Sequence, residues 1–267
     1  MRRKTRWCSS EVRWTVLSWR PRWPWLRGNA VQFGAPATAP KPVSERSERK
    51  RSEPARSLSE VAYEHLVRKI TRLEIEPGAV LVERELMVEF DIGRTPLREA
   101  MQRLAIERLI NHQPNRGMFV SEISAASVQQ IYEFRAMVDA QAAGLAAQRA
   151  TATQIEELRR LHLVLVKATD EADIDRYVEA DRQFYRVLGE AAHNAWLADS
   201  LPRIFNLHLR LWFFISRRIG SWERIARAHE VMTRDVVAAL SWRDVAQAQQ
   251  AMQTYVTGRL EDMRDIL

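Results

Sequence analysis

Two guanidinium groups one helical turn apart, Arg94 and Arg98 in the stretch DIGRTPLREAMQRL (residues 91–104), are well suited to recognition chemistry. A guanidinium presents N–H donors in a fixed planar fork, which matches a phosphate, a carboxylate or the O6/N7 edge of a guanine. Their spacing puts both on one side of an α-helix together with Gln102, while Leu97, Ala100, Met101 and Leu104 share another face. The helix therefore has an apolar side to pack and a basic start that faces out. Thr95 can cap it, and Pro96 suits the first turn, where the missing N–H would be unpaired anyway.

Such a pair needs a frame, and the flanking sequence supplies one. Ser57 with Glu60 makes a capping-box pattern ahead of Val61, Leu66, Ile70 and Leu73, which predicts a first helix. EPG at residues 76–78 stops it, AVLV can form a short strand, and a second helix is expected over residues 83–90. DIG links this helix to the one that carries the arginines. After it, LINHQ and MFVSEI flank PNRG at residues 114–117 and read as a hairpin. Two helices joined by a tight turn, with a basic N-terminal end on the second, fit the major groove of duplex DNA, which admits one helix. Arg94 and Arg98 are then the base readers, with Arg84 placed for a phosphate or a base, Thr95 for a phosphate, and Arg116 at the hairpin tip for the minor groove or backbone. The competing reading is a solvated surface on which the two arginines pair with Glu99 or Asp91.

From residue 124 onward the period is helical throughout. Val128, Ile131, Tyr132, Arg135 and Val138 mark one helix, and Thr153 with Glu156 is expected to cap the next, which carries Ile155, Leu158, Leu161 and Leu165. A third starts near Asp173 and carries Tyr177, Asp181, Phe184, Tyr185 and Leu188; others follow over residues 197–219, 222–240 and 245–263. Short connections between long helices imply antiparallel neighbours. The expected fold is mainly α: a winged helix-turn-helix with a small β-hairpin wing over residues 56–122, then an all-α antiparallel helical bundle over residues 123–267.

The net charge of +7 over 267 residues looks like a nucleic-acid signature until it is located. Residues 1–55 carry +9 and the remainder −2, so the basic balance belongs to the N-terminal extension, and DNA binding must rest on where individual arginines sit. That extension, rich in Trp, Pro and Arg, has no period that could bury a face and is expected to be disordered. The alternative is a basic arm whose five tryptophans stack on bases or anchor at a membrane surface. A single cysteine, Cys8, excludes an internal disulfide, and no apolar run in the first 30 residues reaches the length of a secretory signal core. LWFFI at residues 211–215 is far short of the ~20 residues of a membrane span. A cytoplasmic protein without a membrane segment is expected.

ERELMVEFDIGRTPLREAMQRLAIERLINHQPNRGMFVSEI resembles the winged helix-turn-helix of the GntR family of bacterial transcription regulators, through RTPLREAMQRL and the wing NRGMFV. The resemblance implies binding to a double-stranded DNA operator, with contact positions Arg84, Gly93, Arg94, Thr95, Pro96, Arg98 and Gly117. Gly93 stands where this family usually has Ser or Thr, so a capping and phosphate-contacting hydroxyl is missing; Thr95 is expected to take over part of that role.

IYEFRAMVDAQAAGLAAQRAT, EADRQFYRVLGEAAHN and RDVAQAQQAMQTYV resemble the all-helical effector domain, called FCD, of the FadR-type branch of the family. Many members hold a divalent metal there with an Asp and three His. The matching positions are Asp181, Tyr185, Thr233 and Tyr255, and one carboxylate with a hydroxyl and two phenols is a poor donor set for zinc or nickel, so neither a metal nor another cofactor is expected. Arg135, Asp181, Tyr185, Thr233 and Tyr255 are instead expected to converge as a polar effector site that suits a small carboxylate. Arg210 and Arg217 are weaker candidates. Phe205, Leu209, Trp212, Phe213 and Phe214 read as core or dimer contacts rather than an acyl-chain tunnel. The function implied is a homodimeric, ligand-responsive repressor or other transcription regulator on an inverted-repeat operator. Two alternatives are a bundle enzyme using Asp181 and Tyr185 as an acid/base pair, which no nucleophile, phosphate-loop or metal pattern supports, and a protein-interaction module without specific DNA binding.

Overall fold

The computed structural model describes residues 57–267, so the expectations about the extension, Cys8 and its tryptophans lie outside the described residues. Helix α1 (Leu58–Thr71) begins where the Ser57 hydroxyl accepts the Glu60 amide at 3.2 Å, and buries Ala62, Tyr63, Leu66, Val67 and Ile70. Strand β1 (Val80–Leu81) precedes α2 (Glu83–Phe90) and α3 (Arg94–Ile106). Between these helices Asp91 takes a left-handed conformation at φ 52°, its amide returning to the Met87 carbonyl. The cap of α3 differs from expectation. Gly93, at φ −73° and ψ 166°, is the N-cap residue and contributes no side-chain bond, and Thr95, two residues on, is already inside the first turn and cannot cap. Leu97, Ala100, Met101 and Leu104 are all buried.

Strands β2 (Ile110–Gln113) and β3 (Gly117–Val120) form the antiparallel hairpin, in a register that sets Ile110 opposite Val120 and Gln113 opposite Gly117. β1 joins the other edge of β3, giving the order β1-β3-β2. The reversal requires Gly117 at φ 98°, a conformation that L side chains rarely adopt. Apolar residues of α1, α2, α3 and the sheet make one core.

A second core lies in six long helices: α4 (Ala125–Arg149), α5 (Ala152–Asp170), α6 (Ile174–Ala191), α7 (Ala195–Ile219), α8 (Trp222–Ser241) and α9 (Val245–Ile266). Ser124, Asp173, Asn194, Ser221 and Asp244 cap five of them through side-chain oxygens. The cap of α5 is Thr151, not Thr153. Thr151 and Gln154 form the reciprocal box, with amide contacts of 3.2 and 2.9 Å. Both Thr-x-x-Glu/Gln patterns fit the rule; the end of α4 decides between them, because Ala150 leaves the helix at ψ 137° and α5 can start at once. Small residues on α4 let α9 approach closely: a Cβ at Gly144 would sit 2.7 Å from Gln249 Nε2. No helix of the described residues is long and apolar enough to cross a membrane.

The two cores are joined by polar bonds. Tyr63 Oη on α1 donates to the carboxylate of Glu107, the C-cap of α3, at 2.7 Å, and Asn206 Nδ2 on α7 donates to Tyr63 Oη at 3.1 Å. Arg182 Nη1 on α6 completes the chain by donating to Asn206 Oδ1 at 3.0 Å. Arg217 on α7 donates to the carbonyls of Arg72 and Leu73.

Candidate functional site

The basic start of α3 is presented outward. Arg94, the first residue of the helix, and Arg98, one turn on, have side chains 65% and 52% exposed. Both reach back to Glu83 at the start of α2: Arg94 Nε donates to Oε2 at 3.2 Å and Arg98 Nε to Oε1 and Oε2 at 2.9 and 3.0 Å. Neither Asp91 nor Glu99 is the partner. The Arg98 and Arg94 bonds hold the Glu83 carboxyl below its ordinary pKa. One carboxylate thus sets two guanidinium groups side by side in front of the helix, a partner eleven and fifteen residues away that no local spacing rule points to. Arg84, Gly93 and Thr95 are exposed beside them, and Pro96 is half-buried. At the hairpin tip Arg116 and Gly117 are exposed, with the Arg116 guanidinium 5.5 Å from the centre of the Phe119 ring.

Inside the bundle, α4, α6, α7, α8 and α9 assemble a buried polar cluster. Arg135 Nε donates to Asp139 Oδ2 at 2.9 Å and Nη2 to Tyr185 Oη at 2.7 Å. Burial pushes the Asp139 carboxyl up in pKa, and Arg135 offsets part of that. His229 Nε2 lies 3.1 Å from Asp181 Oδ1 but off the hydrogen-bonding line, while its Nδ1 is 2.9 Å from Tyr177 Oη. Ring contacts continue from His229 to Tyr255 at 5.3 Å, from Tyr255 to His208 at 6.4 Å and from His208 to Tyr132 at 6.4 Å. Arg135 Nη1, Asp139 Oδ1, Asp181 Oδ1, His208 Nδ1, His229 Nε2 and Tyr255 Oη are all buried without a hydrogen-bond partner among the described residues. Asp181 Oδ1 and His229 Nε2 face each other, whereas each of the other four leaves ~1–3 kcal/mol of desolvation uncompensated among the described residues.

Of the five expected effector residues, Arg135, Asp181, Tyr185 and Tyr255 belong to this cluster. Thr233 does not: its hydroxyl donates to the Glu230 carbonyl at 3.0 Å and meets His162 Nδ1 at 2.9 Å, on the side of α5. Arg210 and Arg217 turn the other way, to the carbonyls of Ser121 and of Arg72 and Leu73. Phe205, Leu209, Trp212 and Phe213 are buried in the core, where Trp212 stacks on Tyr177 at 5.6 Å. Asp139, His208 and His229 are members that sequence reasoning did not assign. Asp139 carries the local signal, four residues after Arg135 on the same helical stripe. At the four positions that the family resemblance gives to a metal, Thr233 is committed to His162 and Tyr185 accepts from Arg135, so these residues do not fit a zinc or nickel ion.

His208 gives the cluster a measurable pH signature. Burial, with the nearby Arg135, His229 and Arg259, holds its pKa well below 6.5. The unfolded chain therefore binds a proton that the folded one refuses, and stability falls as pH drops below about 6.5, by up to ~1.4 kcal/mol per pH unit. His162, lowered by burial, adds in the same direction. Urea titrations between pH 7 and 5.5 should show this slope, and His208→Gln should flatten it.

Comparison with known proteins places these elements. Residues 58–120 match the family model for bacterial regulatory proteins of the gntR family, and residues 130–258 match that of the FCD domain. The HTH-type transcriptional repressor RspR of Escherichia coli K12 is 28% identical over 214 residues, spanning 80% of this chain and 92% of that protein. The HTH-type transcriptional repressor NanR of Cronobacter sakazakii is 26% identical over 225 residues, 75% of this chain and 83% of its own. Among solved structures, E. coli McbR/YncC superposes with a TM-score of 0.66 at 18% identity, covering 79% of this chain and 99% of that one, which supports the fold alone.

Proposed function

Because this chain belongs to the GntR family of bacterial regulators and carries an FCD domain, we propose that it is a ligand-responsive transcription regulator that binds an inverted-repeat operator as a homodimer. The observation that carries this reading is the exposed Arg94–Arg98 pair at the N-terminal end of α3, the end of a recognition helix that reaches base edges. Two copies related by a twofold axis place two such pairs on successive major grooves. Arg84 and Thr95 contact the backbone beside the readers, Gly93 and Pro96 fix the start of the helix, and Gly117 shapes a wing that carries Arg116 to the neighbouring groove. The relatives RspR and NanR are repressors by name, and repression is the action proposed here.

The effector site proposed is the bundle cluster of Arg135, Asp181, Tyr185 and Tyr255, with Asp139, His208 and His229 added and Thr233 left out. With Arg135 paired to Asp139, its free Nη1 and the Tyr255 hydroxyl remain as donors for one oxygen of a small organic acid. Asp181 and Arg182 are neighbours on α6, and Arg182 leads through Asn206 to Glu107 at the end of α3. A ligand that moves α6 therefore acts on the helix that reads DNA. To regulate, it must bind the DNA-competent and incompetent arrangements with affinities that differ by ~1–3 kcal/mol.

Selection from a random duplex pool tests the reading. The expected result is enrichment of an inverted repeat with half-sites about one helical turn apart and two chains bound per duplex. Recovery of unrelated sequences, with binding that depends on salt alone, would favour nonspecific attachment.

A further inference from the structure

A groove of about 600 Å³ lies between the end of α3, the link at residues 121–124, the first turns of α4 and the middle of α7. Ile106, Ile123, Ile131, Phe134, Ile204 and Leu207 make most of its wall apolar. Arg210 also lines it, and is only 3% exposed. Its Nη2 donates to the Ser121 carbonyl, but Nε is buried without a hydrogen-bond partner. Arg135, the other deeply buried arginine, is neutralised by Asp139; Arg210 forms no ion pair among the described residues. Burial pulls its pKa down to about 10, opposed only in part by the charge of Glu122. A desolvated cation whose nearby carboxylate, Glu122, offsets its burial only in part is unfavourable, and an anion delivered to it lowers the remaining penalty.

We propose that this groove is a second ligand site, separate from the bundle cluster, which takes an amphipathic carboxylate. The carboxylate pairs with the Arg210 guanidinium where it lines the groove, and an aliphatic or aryl body lies against Ile131, Phe134 and Ile204. An acid of this shape matches the site in both respects, since acetate would leave the apolar wall wet and an alcohol would leave the cation unpaired. The site also borders residues 121–123, the segment that connects the winged domain to α4, so its occupant touches both halves of the regulator.

Calorimetric titration of the full chain with octanoate, acetate and 1-octanol tests the proposal, together with amide hydrogen exchange in saturating octanoate. Octanoate is expected to bind saturably, and acetate and octanol at least tenfold more weakly. Phe134→Glu, at a rim position that is 42% exposed, should weaken octanoate at least tenfold with the fold intact, as should Arg210→Gln if its circular dichroism is unchanged. Exchange should slow in residues 121–134 and 204–211. Octanol binding as well as octanoate, protection confined to residues 177–185 and 229–233, or no saturable binding would each overturn the proposal. So would a dimer that Phe134→Glu splits and octanoate ignores, since a second copy would then cover the groove.

Discussion

Replacing Arg98 by Ala is expected to weaken binding to the selected duplex about 5- to 150-fold, the equivalent of ~1–3 kcal/mol for one bidentate guanidinium–guanine contact. Arg94→Ala should fall in the same range. Both side chains are exposed, so neither change should disturb stability, and fluorescence anisotropy on a labelled duplex reads the binding loss directly. Their shared partner Glu83 sets the geometry rather than the energy: an exposed ion pair contributes ~0–1 kcal/mol, less than the contact that replaces it when DNA arrives. Arg84→Ala should behave differently. A phosphate contact carries no sequence information, so its loss weakens matched and unmatched duplexes alike and lowers the salt slope by about one.

Arg135→Met is the substitution expected to damage the fold most. Asp139 is fully buried and Arg135 is its hydrogen-bonding partner, so the methionine leaves a carboxylate in the bundle without a counter-charge, at ~3–5 kcal/mol. For a domain of this size that is a fall of about 10 °C in Tm. The double variant Arg135→Met/Asp139→Leu removes both charges and should recover most of the loss, which urea melts of the three proteins would show. Equal destabilisation of the single and double variants would mean that packing, not charge, is what Arg135 supplies.

The winged domain was legible because its signals are local. Pro96 and the apolar spacing of Leu97, Ala100, Met101 and Leu104 announce the helix, and PNRG between two apolar runs announces the hairpin. Its fine structure was less so. Thr95 and Gly93 compete for one cap, and Thr151 and Thr153 for another; each contest is settled by where the chain leaves its previous element, which residue type does not encode. The pairing of Arg94 and Arg98 with Glu83 depends on how α2 crosses α3. In the bundle, the family resemblance singles out Asp181 and Tyr185, and their spacing of four puts them on one helical stripe. His208 and His229 could not, because which stripe of α7 and α8 turns inward is decided by the packing of neighbouring helices. His229 lies beside Asp181 from one turn before Thr233, whose hydroxyl is engaged by the Glu230 carbonyl and His162 instead.

The central claim is that the guanidinium groups at the start of α3 read base edges, and a double-substitution cycle tests it most directly. Each guanine of the selected half-site is replaced in turn by 7-deazaguanine, which lacks the N7 acceptor, and affinities are measured for the native chain and for Arg98→Ala. At one position the base change should weaken the native chain about tenfold and leave Arg98→Ala unaffected, the coupling that a direct contact requires. If every 7-deazaguanine weakens both proteins equally, Arg98 does not touch a guanine and the assignment of α3 as the reading helix fails.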